Sequence, residues 1–100
     1  MPVLFFYSNK GDCPKCEQQG FVLTNFKRTY KDVRIYHFDI NIDNPALNTI
    51  KDLYKIKYAP AIVFREDTYH GFMTKTVLEN LLNNQNASKE NSDDEEYAKV

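Results

Sequence analysis

The sequence predicts an α/β domain: a mixed four-stranded sheet flanked by three helices, in the order β-α-β-α-β-β-α. Three observations predict it. Short apolar runs of strand length alternate with segments whose apolar residues recur every three or four positions, so the period switches repeatedly between buried strand and amphipathic helix. The chain has 100 residues, 42% hydrophobic and 14% aromatic, enough for one core and too few for two domains. With 3 Gly, 4 Pro and 2 Cys it is neither collagen-like nor a disulfide-stapled miniprotein, which leaves the cysteines free for chemistry.

The run from Val3 to Tyr7 is short, closes on Ser-Asn-Lys-Gly-Asp, and reads as a strand covered on both faces. From Pro14 to about Tyr30 a helix follows, with Cys16, Gly20, Leu23, Phe26 or Lys27, and Tyr30 along one stripe. Gly20 costs a helix about 1 kcal/mol against Ala, so it is expected to permit close packing on the sheet. Val33 to Ile40 is the second strand, and its Ile35, Tyr36, Phe38 and Ile40 leave no clean polar face, as in a central strand. Asn44-Pro45 starts the second helix: the Asn side chain caps free amides, and Pro at the first helical position forfeits no hydrogen bond. Leu47, Ile50, Leu53 and Tyr54 are its expected buried stripe.

Ala59 to Phe64 is a strand with Pro60 at its start, since proline cannot donate to a ladder. Arg65 to Thr68 is a polar turn, Thr68 to Phe72 a short edge strand, and Thr74 caps a last helix through Val77, Leu78, Leu81 and Leu82. Tyr7, Tyr36, Tyr54 and Tyr58 are expected to be mostly core, and Lys10 a solvated loop lysine.

Charge divides the chain. Residues 86–100 hold five acids and two lysines, a local balance of −3 within a total of −1, which leaves +2 for residues 1–85. The expected organisation is a folded domain over 1–85 and an acidic disordered tail over 86–100, whose composition buries too little apolar area to fold. A balance of +2 makes no phosphate-neutralising stripe, so a nucleic-acid partner is not expected. No apolar run approaches the roughly 18 residues of a membrane span, and the first charge, Lys10, follows the apolar segment instead of preceding it. A monomer without membrane association, cytoplasmic as given, is the expectation; an exported domain whose targeting segment had been removed would leave the same sequence.

Cys13-Pro14-Lys15-Cys16 falls where the first strand hands over to a helix, and two thiols at this spacing close a reversible disulfide with little backbone change. The geometry makes them unequal. Cys13 takes the cap position, where free amides and the positive helix end favour a thiolate, with Lys15 assisting and Asp12 opposing. Cys16, one turn in, points toward the packed side. Since a thiolate attacks a disulfide and a thiol hardly does, Cys13 is the expected nucleophile and Cys16 the resolving thiol. The loop is too short for the bridge to add much stability, which argues against a purely structural role.

At these residues the chain resembles the thioredoxin/glutaredoxin superfamily over residues 3 to about 83. Phe38-Asp39-Ile40-Asn41-Ile42-Asp43-Asn44-Pro45 is similar to the family stretch that ends a strand and caps the next helix, and Tyr58-Ala59-Pro60-Ala61-Ile62-Val63-Phe64 to its cis-proline segment. The resemblance implies a thioredoxin-like fold and a thiol-disulfide oxidoreductase with no cofactor and no metal. It implies a cis bond before Pro60, with Ala59 and Pro60 pairing an extended substrate and Pro14 and Lys15 completing the substrate-facing set.

Departures refine it. There is no Trp, Asp12 precedes Cys13, and Phe5 stands where thioredoxins keep a buried acid. Asp39, where the family tends to carry that acid's lysine partner, is the candidate to take the Cys16 proton instead. Phe6-Tyr7-Ser8 before Cys-Pro-x-Cys resembles glutaredoxins, whose Thr-Val-Pro is Tyr58-Ala59-Pro60 here and whose Gly-Gly turn is His70-Gly71. Protein disulfides and dithiols are therefore the expected partners, ahead of glutathione. Two other readings stand beside this one: a redox-inactive binding module on the same fold, and a zinc site of both cysteines with His37 and His70, whose separation of 33 is unlike a zinc finger. His37 reads more simply as a packed strand residue.

Overall fold

A computed structural model describes residues 1–83; the expected acidic tail lies outside the described residues. The chain forms strand β1 (Pro2–Tyr7), helix α1 (Pro14–Thr29), β2 (Arg34–Asp39), α2 (Pro45–Leu53), β3 (Ala61–Phe64), β4 (Asp67–His70) and α3 (Lys75–Asn83). This is the expected element order and a thioredoxin-like topology. The sheet runs β2-β1-β3-β4, with β2 parallel to β1 and the other two pairings antiparallel.

Side-chain alternation along the strands builds two cores. Val3, Phe5, Ile62, Phe64 and Tyr69 face Leu23 and Phe26 of α1 and Leu78 of α3. Phe6, Ala61 and Val63 face the other way, onto Leu47 and Ile50 of α2. Helices therefore cover both sheet faces, and β1 and β3 are buried because each has two neighbouring strands and two covered faces. Asn44 caps α2, its Oδ1 accepting from Ala46 N at 2.8 Å and Leu47 N at 3.1 Å. Thr74 accepts from Val77 N at 3.3 Å at the start of α3. Arg65 and Glu66 turn β3 into β4 with φ of 55° and 72°, the paired left-handed conformation whose twist suits a two-residue hairpin.

Four sequence expectations are corrected. β2 is an edge strand, not a central one: Tyr36 is 47% exposed, while Ile35 and Phe38, with the flanking Val33 and Ile40, pack against the cores. Gly20 does not seat the helix on the sheet, because a Cβ there would meet nothing within 4 Å. Leu53 is exposed, while Ile50 and Tyr54 on either side of it pack against the core. Tyr36 and Tyr58 are exposed as well, while Tyr7 and Tyr54 pack partly against the cores. Among the described residues no helix is long and apolar enough to cross a membrane.

Candidate active site

β1 ends at Tyr7 and delivers the chain into a short loop that opens α1. Asn41 Nδ2 donates to Ser8 Oγ at 2.9 Å, and Ser8 Oγ donates to Asp12 Oδ1 at 2.6 Å, so the end of β2 braces the loop before the cysteines. Gly11 turns it at φ 78°, a conformation open to glycine at little cost. Cys13 is then the N-cap of α1, with Pro14 in the first turn, and its side chain makes no capping hydrogen bond. Cys16 N donates to Cys13 O at 3.0 Å. The two cysteines form a disulfide with Cα atoms 5.2 Å apart. Cys13 is half-buried, whereas Cys16 is 6% exposed. A reagent arriving from solvent therefore meets Cys13 first.

The register of the sheet brings Pro60 to the same end. Phe6 pairs with Ala61, so the residue before Ala61 lies level with the end of β1, from which the cysteine loop departs. The Ala59-Pro60 bond is cis, and Pro60 O accepts from Gly71 N at 2.9 Å. Beyond Gly71 the chain is tied back to α1: Lys15 Nζ lies over the Phe72 ring, 5.4 Å from its centroid, and Gln19 is fully buried against Met73. Gln19 Nε2 donates to Met73 O at 3.0 Å, and Met73 N donates to Gln19 Oε1 at 2.7 Å. Lys15 and Gln19 are one turn apart, so one face of α1 holds the 71–73 segment beside the dithiol.

No protein-family model and no curated protein matches the chain.

On the other flank of the dithiol runs a groove of about 540 Å³, lined by Phe5, Tyr7, Cys13, Cys16, Gly20 and His37 among others. The missing Cβ of Gly20 contributes to its opening. His37 is exposed and sets its ring edge-on to Phe5, with centroids 5.6 Å apart. Asp39 is not in the groove wall; its Oδ1 accepts from Asn41 N at 3.0 Å. Of the sequence-derived site residues, the structure brings Cys13, Pro14, Lys15 and Cys16 together at one helix start, sets Ala59 and Pro60 at the same sheet end, and leaves Asp39 at the end of β2. His37 and His70 sit on β2 and β4, at opposite edges of the sheet, and among the described residues no group of three or more His, Cys, Asp and Glu is arranged to hold a metal ion.

Gln19, Ser8 and Asn41 were not among the sequence-derived site residues. Gln19 carried one readable signal: it is a polar residue three after Cys16 and four before Leu23, on the stripe that packs. Ser8 and Asn41 are 33 apart, and only the parallel pairing of β1 with β2 makes them neighbours.

Proposed function

We propose that the chain is a thiol-disulfide oxidoreductase of the thioredoxin superfamily, acting on extended protein disulfides and dithiols. The observation that carries this reading is the asymmetric disulfide: Cys13 half-exposed at the cap of α1, Cys16 buried one turn in, and a cis-Pro60 backbone at the same sheet end. In the reduced form the Cys13 sulfur stands at the positive end of α1, which favours its thiolate.

The Cys13 thiolate attacks one sulfur of a partner disulfide. The partner's S–S bond breaks, its other sulfur leaves as a thiolate and takes up a proton, and a Cys13–partner disulfide forms. Cys16 then gives up its proton and attacks Cys13 Sγ, closing the Cys13–Cys16 bond and releasing the second partner sulfur, which is protonated in turn. Two electrons pass from this chain to the partner, and the same steps in reverse oxidise a partner dithiol. The second attack is fast because Cys16 is tethered 5.2 Å away by Cα distance, at high effective concentration. The chemistry is complete in two sulfurs and needs no cofactor.

The test is single turnover with the fully reduced protein. One equivalent of a protein disulfide should be reduced as the Cys13–Cys16 bond re-forms, and Cys13→Ser should abolish the reaction. A wild-type protein that keeps both thiols in the presence of protein disulfide would refute the reading in favour of a redox-inactive binding module. Reaction with glutathione disulfide alone would move the assignment to glutathione-dependent reduction.

A further inference from the structure

The connection from α2 to β3, residues 54–60, carries Tyr58, Ala59 and Pro60 and belongs to no strand. Edge strand β4 fastens it. Thr68 and His70 are two apart on β4 and share a face, while Tyr69 between them turns into the α1 and α3 core. Thr68 Oγ1 donates to Tyr54 O at 2.8 Å, and Lys57 N donates to His70 Nε2 at 3.0 Å. The Tyr58 ring lies against the His70 ring with centroids 4.6 Å apart. Gly71, the next residue, donates its N–H to Pro60 O at 2.9 Å. His70 thus grips the loop just before Ala59, and its neighbour grips it just after.

An imidazole accepts a hydrogen bond only at an unprotonated nitrogen, so the Lys57 bond requires Nε2 bare and the proton on Nδ1, and imidazolium cannot make it. We propose that His70 is a positioning residue for the substrate-pairing backbone at Ala59-Pro60, and that its protonation frees this backbone and weakens capture of extended disulfides in acid. This rests on the exchange reading above.

The groups around His70 fit a switch that stays closed at neutral pH. Its partner on β3 is Ala61, which carries no charge, and the loop contributes the Tyr58 ring and the Lys57 ammonium. Burial first, and then the Lys57 charge, lower the His70 pKa below its usual 6.5. A histidine pKa depressed by folding means that the hold is complete above 6.5 and is lost as pH falls through the lower folded value.

The test compares two disulfides in single turnover with the reduced protein: an extended fluorogenic peptide disulfide, which can pair with the loop, and bis(2-hydroxyethyl) disulfide, which cannot. The small disulfide reads Cys13 ionisation alone, so the ratio of the two rate constants isolates the loop. In the wild-type protein the ratio should fall about fivefold as pH falls from neutral through the His70 titration, the size expected of one backbone hydrogen bond. His70→Gln, whose Oε1 accepts at every pH, should hold the ratio at its neutral value throughout. His70→Leu should show the low ratio throughout. Should His70→Leu fail to fold, amide exchange of Lys57 in the unaltered protein, followed across the His70 titration, decides the matter, and its protection should drop as His70 protonates. A wild-type ratio independent of pH, or Lys57 protection unchanged through that titration, overturns the proposal while leaving disulfide exchange intact. Reduction of neither disulfide overturns the exchange reading and this inference with it.

Discussion

Replacing Gln19 by Leu removes the fastening that holds the 71–73 segment on α1. The side chain is fully buried and both of its polar atoms are used, one donating to Met73 O and one accepting from Met73 N, and Met73 itself is 5% exposed. Leucine fills a similar volume and leaves one N–H and one C=O of Met73 buried without partners, at about 1–3 kcal/mol each. Its greater apolar surface returns about 1–2 kcal/mol. The net loss is about 2 kcal/mol, which lowers Tm by about 8–16 °C in a domain of this size at about 4–8 °C per kcal/mol. Urea unfolding of the oxidised protein is the assay: the midpoint should fall while the slope, set by the surface exposed on unfolding, stays the same. Gln19→Glu should be at least as damaging, because its carboxylate can accept from Met73 N but cannot donate to Met73 O while ionised. A midpoint shift worth less than about 0.5 kcal/mol for Gln19→Leu would refute the reasoning, since surface changes alone give that much.

Gly20→Ala should raise stability by about 0.5–1 kcal/mol in thermal unfolding, because a Cβ there meets open space and alanine is the better helix former; destabilisation would mean that the close packing expected from sequence is real after all. Glu66→Gly should stabilise the β3–β4 turn by a similar amount, about 0.5–1 kcal/mol, because Glu66 holds φ at 72°, and a lower Tm would count against strain at that position. Asp39→Asn keeps an acceptor for Asn41 N and removes only the charge, so its stability should stay within about 0.5 kcal/mol of wild type in urea. In that variant, slower resolution of the mixed disulfide at neutral pH would assign the Cys16 proton to Asp39, and unchanged turnover would remove Asp39 from the site.

The dithiol and the helix starts were legible because each is written in adjacent residues. Cys13-Pro14-Lys15-Cys16 after an apolar run, and Asn44-Pro45 before an amphipathic one, carry their chemistry in local spacing, and the structure places both at helix caps. The edge position of β2 was not legible, since Ile35, Tyr36, Phe38 and Ile40 have the composition of a central strand and only long-range pairing decides which strand has two neighbours. The same holds for the loop grip: Lys57 and His70 are 13 apart and meet because β4 folds back beside β3. Gly20 misled for a different reason. A glycine on an apolar stripe predicts close approach, but here the stripe passes through Gln19 and the glycine faces the groove.

The central claim is that Cys13 attacks and Cys16 resolves, and covalent trapping tests it most directly. Reduced Cys16→Ser and Cys13→Ser proteins are each mixed with an extended peptide disulfide, quenched in acid, and weighed intact by mass spectrometry. Cys16→Ser should accumulate an adduct heavier by one peptide half, because the first attack survives and its resolution does not. Cys13→Ser should remain largely unmodified, because its remaining thiol lies one turn inside α1 and is 6% exposed. Equal adducts from both proteins, or an adduct from Cys13→Ser alone, would contradict the assignment, and adducts from neither would contradict disulfide exchange itself.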